Sequence, residues 1–163
     1  MKPWILVDVD GVLNPDFRCH PPYCHCHAHW LRRKTYPGGF KFTVVVNPQH
    51  GPMLTGLAAD TGGELAWGST WEHHANEWIA PLVGLPSLPA GVTHGRSFKA
   101  DTLIPWCDGR PWVWFDDDDT ELYQADAIAG DTPHLTVWVE PTAGLTEAHI
   151  ATAREWLLAN GGT

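Results

Sequence analysis

No stretch of the 163 residues approaches the roughly 18 consecutive apolar residues of a membrane span, so no bilayer partner is expected. Basic residues are scarce as well: 10 Lys and Arg stand against 19 Asp and Glu, a formal net charge of −9. A chain of that balance is not built to coat nucleic acid generally, because phosphate binding needs local positive charge. Cysteine is sparse and badly spread for a disulfide framework, with Cys19, Cys24 and Cys26 crowded together and Cys107 far away. The opening Met1-Lys2-Pro3-Trp4 runs straight into a strand and then into charge, unlike a secretory leader. These features predict a reducing, cytoplasmic setting. No internal repeat, no linker and no obligate protein partner is evident, so residues 1–163 are expected to form one domain.

What the chain does have is a regular alternation of elements. The stretch from Trp4 to Asp10 is apolar up to Asp8, as in a strand covered on both faces. Further strands are expected at 41–46, 63–69, 110–115 and 134–139. Helices are expected at 50–60, 70–83, 99–106, 120–129 and 146–160. This pattern predicts an α/β fold: a Rossmann-like three-layer sandwich with a mostly parallel sheet and helices on both faces. Residues 11–41 show no sustained period and read as a long flap, with a Cys/His-rich insertion at 16–40; no other insertion is long enough to form a large cap domain.

In open parallel sheets, ligands sit beyond the carboxyl ends of the strands. Asp8 and Asp10 follow the first strand, Ser69 follows "ELAWG", Lys99 opens a helix, and Asp116 and Asp117 follow "WVWF". Carboxylates, a hydroxyl and a lysine gathered there are the ingredients of phosphoryl transfer through an enzyme carboxylate. Thr70 is an alternative to Ser69 as the working hydroxyl, and Lys41 or Arg96 to Lys99. Asp118 and Asp119 read as helix-capping acids.

D-x-D-G-V-L at 8–13, Ser69, Lys99 and the Asp-Asp after "RPWVWF" resemble the four motifs of the haloacid dehalogenase-like superfamily. "LAWGSTWEHHAN" (65–76), "GLPSLP" (84–89), "RPWVWFDDD" (110–118) and "GLT" (144–146) are similar to a small branch of it. That branch comprises compact stand-alone proteins of actinobacteria and their phages, and a domain of RNA-repair proteins. The resemblance implies a phosphatase. Asp8 would be the nucleophile, and Asp10 the acid and then the base. Ser69 would bind the phosphoryl group and Lys99 would offset its charge. Mg²⁺ would be held by Asp8, the Asp10 carbonyl, Asp116 and Asp117, and the turn at Gly11 would cradle phosphate oxygens. Superfamily members that dehalogenate lack an acid at the position of Asp10, so its presence favours a phosphatase.

The segment 18–30 is not explained by those motifs. Cys19, Cys24 and Cys26 with His20, His25, His27 and His29 offer ligands suited to a structural Zn²⁺, yet C-x4-C-x-C is no standard finger. A polar flap with incidental cysteines is the plain alternative. Arg18, Arg32 and Arg33, interleaved with Tyr23, Trp30, Tyr36, Phe40 and Phe42, suit a phosphorylated substrate carrying a base. The expected substrate is therefore a phosphorylated small molecule, a nucleotide or a nucleic-acid end. Two other functions stay open: a zinc-stabilised nucleic-acid-binding or regulatory module with a vestigial site, and a phosphotransferase or small-metabolite phosphatase.

Overall fold

A computed structural model describes residues 1–16, 27–93 and 97–160. Its centre is a four-stranded parallel sheet of β1 (Trp4–Val7), β4 (Glu64–Trp67), β5 (Trp112–Asp116) and β6 (His134–Trp138), in the order β4-β1-β5-β6. The register pairs Val7 with both Trp67 and Phe115, so the carboxyl ends of three strands finish at one level. Alternate residues of these strands face opposite layers, and both layers are apolar, which is why the strands read as continuous hydrophobic runs.

Ile5, Val7, Trp67 and Phe115 face α1 (His50–Thr61) and α6 (Glu147–Asn160), together with the short α2 (His74–Trp78) and α3 (Ala80–Val83). Leu6, Ala66, Trp112 and Trp114 face α4 (Ala100–Trp106) and α5 (Asp119–Ile128). The architecture is a three-layer α/β sandwich of Rossmann-like type. No described helix is long and apolar enough to cross a membrane.

Three expectations need correction. The stretch 11–41 is not a continuous unstructured flap. Val12 and Leu13 are fully buried, and Leu31–Thr35 forms β2. That strand escapes a periodicity reading because its centre, Arg32-Arg33-Lys34, is exposed on a two-stranded ribbon. The strand after it, β3 (Phe42–Val46), pairs antiparallel with β2 rather than joining the main sheet. Val44 and Val46 anchor this hairpin in the core. Finally, 70–83 is not one helix. Its first residues form a turn in which the Ser69 hydroxyl accepts the Trp71 N–H at 3.3 Å and Glu72 adopts φ +48°.

Candidate active site

The carboxyl ends of β1 and β5 lie side by side, so Asp8 and Asp116 meet without any loop rearrangement. Between them sits Lys99, whose Nζ donates to Asp8 Oδ2 at 2.8 Å and to Asp116 Oδ2 at 2.6 Å. All three side chains are nearly sealed from solvent, with Lys99 only 11% exposed. Burial alone would lower the Lys99 pKa, but the Asp8 and Asp116 carboxylates outweigh it and raise the value, keeping the ammonium charged. Asp116 is raised as well, by burial first and then by the Asp8 charge, against the opposing pull of Lys99.

Asp117 completes the group, its pKa lifted to about 6 by burial and by Asp8. Asp8, Asp116 and Asp117 each offer a carboxylate oxygen, all within 4.8 Å of one another. Three carboxylates thus face one ammonium, and two of them are held above their ordinary pKa by burial first and then by the Asp8 charge. Hard oxygen donors with excess negative charge fit Mg²⁺, which is commonly bound through one or two carboxylates while keeping several waters.

Each ligand is fixed from behind. The Asp118 N–H donates to Asp116 Oδ1 at 2.9 Å, and the Trp138 indole donates to the Asp117 carbonyl at 2.9 Å. Asp118 also caps α5, the role its position predicts. Gly11 has φ +74°, and a Cβ there would overlap the Asp117 carboxyl. Its N–H donates to the Asn14 carbonyl at 2.7 Å. Glycine is needed here for its positive φ and for close approach to Asp117.

Asp10 stands at the mouth of the site. Its Oδ1 accepts Asn14 Nδ2 at 2.8 Å and its Oδ2 accepts Trp71 Nε1 at 2.8 Å. Much of the residue surface is open, yet desolvation of the carboxyl raises its pKa; the Trp71 and Asn14 donors oppose the shift and the Asp8 charge adds to it. A carboxyl held in place with a raised pKa suits proton donation.

Ser69 is buried just past the end of β4, the strand next to β1, with its hydroxyl engaged by the Trp71 N–H. Thr70 is exposed and lines an adjoining cleft. Arg32 and Arg33 are exposed on β2, and neither lines a cleft beside Asp10. His27 packs on Trp30 with ring centroids 4.1 Å apart and meets the Ala143 carbonyl at 3.3 Å; His29 touches Trp30 edge-on. Among the described residues, the cluster able to hold a metal is the aspartate one, and neither histidine joins it. Arg18, Cys19, His20, Cys24, His25 and Cys26 lie outside the described residues.

Three residues of the site are not singled out by the sequence. Asn14 bridges Asp10 to the hairpin, its Oδ1 accepting the Val45 N–H at 2.8 Å. Trp71, expected on a helix face, instead reaches 61 positions back to Asp10. Glu121 caps the start of α4, accepting the N–H groups of Lys99 at 2.9 Å and Ala100 at 3.1 Å, and so aims Lys99. Only Asn14 carries a local signal, four residues after Asp10 in the same turn.

No family model matches the chain, and no curated protein matches it. A solved structure of a hypothetical protein from Xanthomonas campestris is similar over 99% of this chain and 84% of its own, with a TM-score of 0.50 and 16% identity. At that identity the likeness speaks for the fold alone.

Proposed function

We propose that this chain is a Mg²⁺-dependent phosphomonoester hydrolase working through an aspartyl-phosphate on Asp8, with a nucleotide or a nucleic-acid end as substrate. The observation that carries the reading is the direct bonding of Lys99 to Asp8 and Asp116 at the ends of two adjacent parallel strands, with Asp10 fixed at the mouth. The resemblance of the four motifs to the haloacid dehalogenase-like superfamily supports it independently.

In the first step an Asp8 carboxylate oxygen attacks phosphorus and the bond from phosphorus to the leaving oxygen breaks. Asp10, protonated at the outset, gives its proton to that oxygen. In the second step water attacks the same phosphorus and Asp10, now a carboxylate, takes the water proton. The bond to Asp8 then breaks and inorganic phosphate leaves. Lys99 holds Asp8 Oδ2, which orients the carboxylate and offsets charge accumulating on the phosphoryl oxygens. Asp8, Asp116 and Asp117 are the residues to hold Mg²⁺, which when bound supplies further positive charge to those oxygens. In this reading buried Ser69 hydrogen-bonds a phosphoryl oxygen, and Thr70, on the cleft wall, lies toward the leaving group.

The test is a turnover screen over nitrophenyl phosphate, nucleotides and terminally phosphorylated oligonucleotides, with and without Mg²⁺. Activity is expected to need Mg²⁺ and to vanish in Asp8→Asn, while a phosphorylated Asp8 is trapped by rapid quenching of the wild type. Turnover that survives Asp8→Asn overturns the mechanism.

A further inference from the structure

The geometry points to the cleft between the hairpin tip and Trp71 as a leaving-group site that takes a planar, uncharged aromatic base. The inference rests on the phosphohydrolase reading and adds the chemistry of what leaves.

Two clefts meet at Asp10. One, of about 380 Å³, is lined by Gly11, Asn14, Thr43 and Asp117, so one carboxylate of the aspartate group stands in its wall. The other, of about 490 Å³, is lined by Phe40, Phe42, Thr70, Trp71, Glu72 and His74. Asp10 and Phe42 belong to both walls. An acid that protonates a leaving oxygen stands between the phosphoryl group and the rest of the substrate. With phosphorus on the carboxylate side, the leaving group extends into the larger cleft.

The lining of that cleft selects for a flat apolar face. Phe40 is 73% exposed and Phe42 50% exposed, although aromatic side chains of this size are normally covered. The Phe42 ring lies 5.8 Å from the Trp71 ring at 51°, and Trp71 is itself locked by its bond to Asp10. The platform is therefore set before anything binds. The hairpin tip is equally fixed: Gly38 and Gly39 take φ +56° and +83°, and the Phe40 N–H closes the turn onto the Pro37 carbonyl at 3.0 Å. Ordering costs that weaken binding are thus already met in the free protein.

Polar groups are present but carry little positive charge. Thr70, Glu72 and His74 offer donors and acceptors for the edge of a base or a sugar, and among the described residues no lysine or arginine lines either cleft. Among the described residues, a leaving group bearing a second phosphate or a carboxylate meets no lysine or arginine there. A neutral base stacks on Phe42 with its edge toward Thr70 and Glu72, as bases do on aromatic platforms generally.

The experiment compares nucleoside monophosphates with glycerol phosphate in wild type, Phe42→Ala and Phe42→Trp, and measures adenosine and uridine binding by calorimetry. Wild type is expected to prefer the nucleotide in kcat/KM. Phe42→Ala is expected to cut that preference about tenfold through KM, and Phe42→Trp to restore it. Nucleoside binding should weaken in parallel. An unchanged preference in Phe42→Ala, or none in wild type, overturns the inference. Should no phosphoester turn over at all, the phosphohydrolase reading fails by itself; nucleoside binding lost in Phe42→Ala would still support the cleft, and no binding would sink both. Oligonucleotides with a terminal phosphate separate the two sources of a base. A lower KM than the mononucleotide assigns the site to a strand end, and a higher one to a free nucleotide; either supports the cleft.

Discussion

At the carboxyl end of the parallel sheet, Asp8, Lys99 and Asp116 are nearly sealed from water and bonded to one another. The antiparallel hairpin leaves Arg32, Lys34, Phe40 and Phe42 open to it. The first region concentrates charge where desolvation is costly, and each charge there depends on the others. The second displays charge and apolar surface to solvent. The difference teaches where chemistry and recognition are built. Groups that must not move sit on strands buried on both faces. Groups that meet a variable partner sit on a ribbon anchored by its valines and by the bond from Val45 to Asn14.

The largest expected effect falls on the sheet end. Asp8→Asn should lower turnover by at least about 10³-fold. Urea unfolding should show no accompanying loss of stability, because one of the crowded like charges has gone. Should turnover fall as far in Phe42→Ala as in Asp8→Asn, the division between chemistry and recognition breaks. Lys99→Met should cost about 3–5 kcal/mol in metal-free urea unfolding, since it leaves Asp8 and Asp116 facing each other uncompensated. Added Mg²⁺ should recover part of that loss; a cost below about 1 kcal/mol would show that the cluster is not charge-strained.

A pH series probes the seam between the two regions. His50 opens α1, meets the Trp30 ring edge-on at 5.1 Å, and contacts the Leu145 carbonyl at 3.0 Å. Burial lowers its pKa to about 4 from an ordinary 6.5. Between those values the unfolded chain takes up a proton that the folded one refuses, so stability is complete above about 6.5 and falls as pH drops toward 4. The integrated loss from this residue is about 3 kcal/mol. Unfolding midpoints of wild type and His50→Gln should converge as the pH is lowered; parallel curves would remove His50 as the cause.

Smaller effects sharpen the boundary. Asn14→Ala strips a donor from Asp10 and orphans the Val45 N–H, for a stability cost of about 1–3 kcal/mol. It should also lower kcat more than it raises KM. Arg33→Ala, on the exposed ribbon, should shift stability by no more than about 0.5 kcal/mol by the same measurement. A larger cost would mean that Arg33 itself ties the ribbon to the body.

The parallel strands and their terminal acids were legible because burial on both faces writes a strand as an apolar run, and Asp8 or Asp116 breaks that run where the strand ends. The hairpin was not, because Arg32-Arg33-Lys34 faces water and carries no apolar alternation. Trp71 and Glu121 were hidden for another reason. Each acts through a partner distant in sequence, Asp10 at 61 positions and Lys99 at 22, and no local pattern encodes such a meeting. His74 opens the short α2, and the turn before it puts it on the cleft wall.

The strand order β4-β1-β5-β6 has a dynamic consequence. Both strands that carry the carboxylates are interior, and the Asp8 amide donates to the Phe115 carbonyl at 3.0 Å. That amide is released to solvent deuterium only when the central ladder itself comes apart, on the scale of global unfolding. Among the described residues the β2–β3 ribbon pairs with no third strand, so its amides, apart from the Val45 N–H held by Asn14, are expected to exchange through a smaller opening. Exchange at the Asp8 amide therefore reports the integrity of the carboxylate cluster, and exchange in the ribbon reports the hairpin alone.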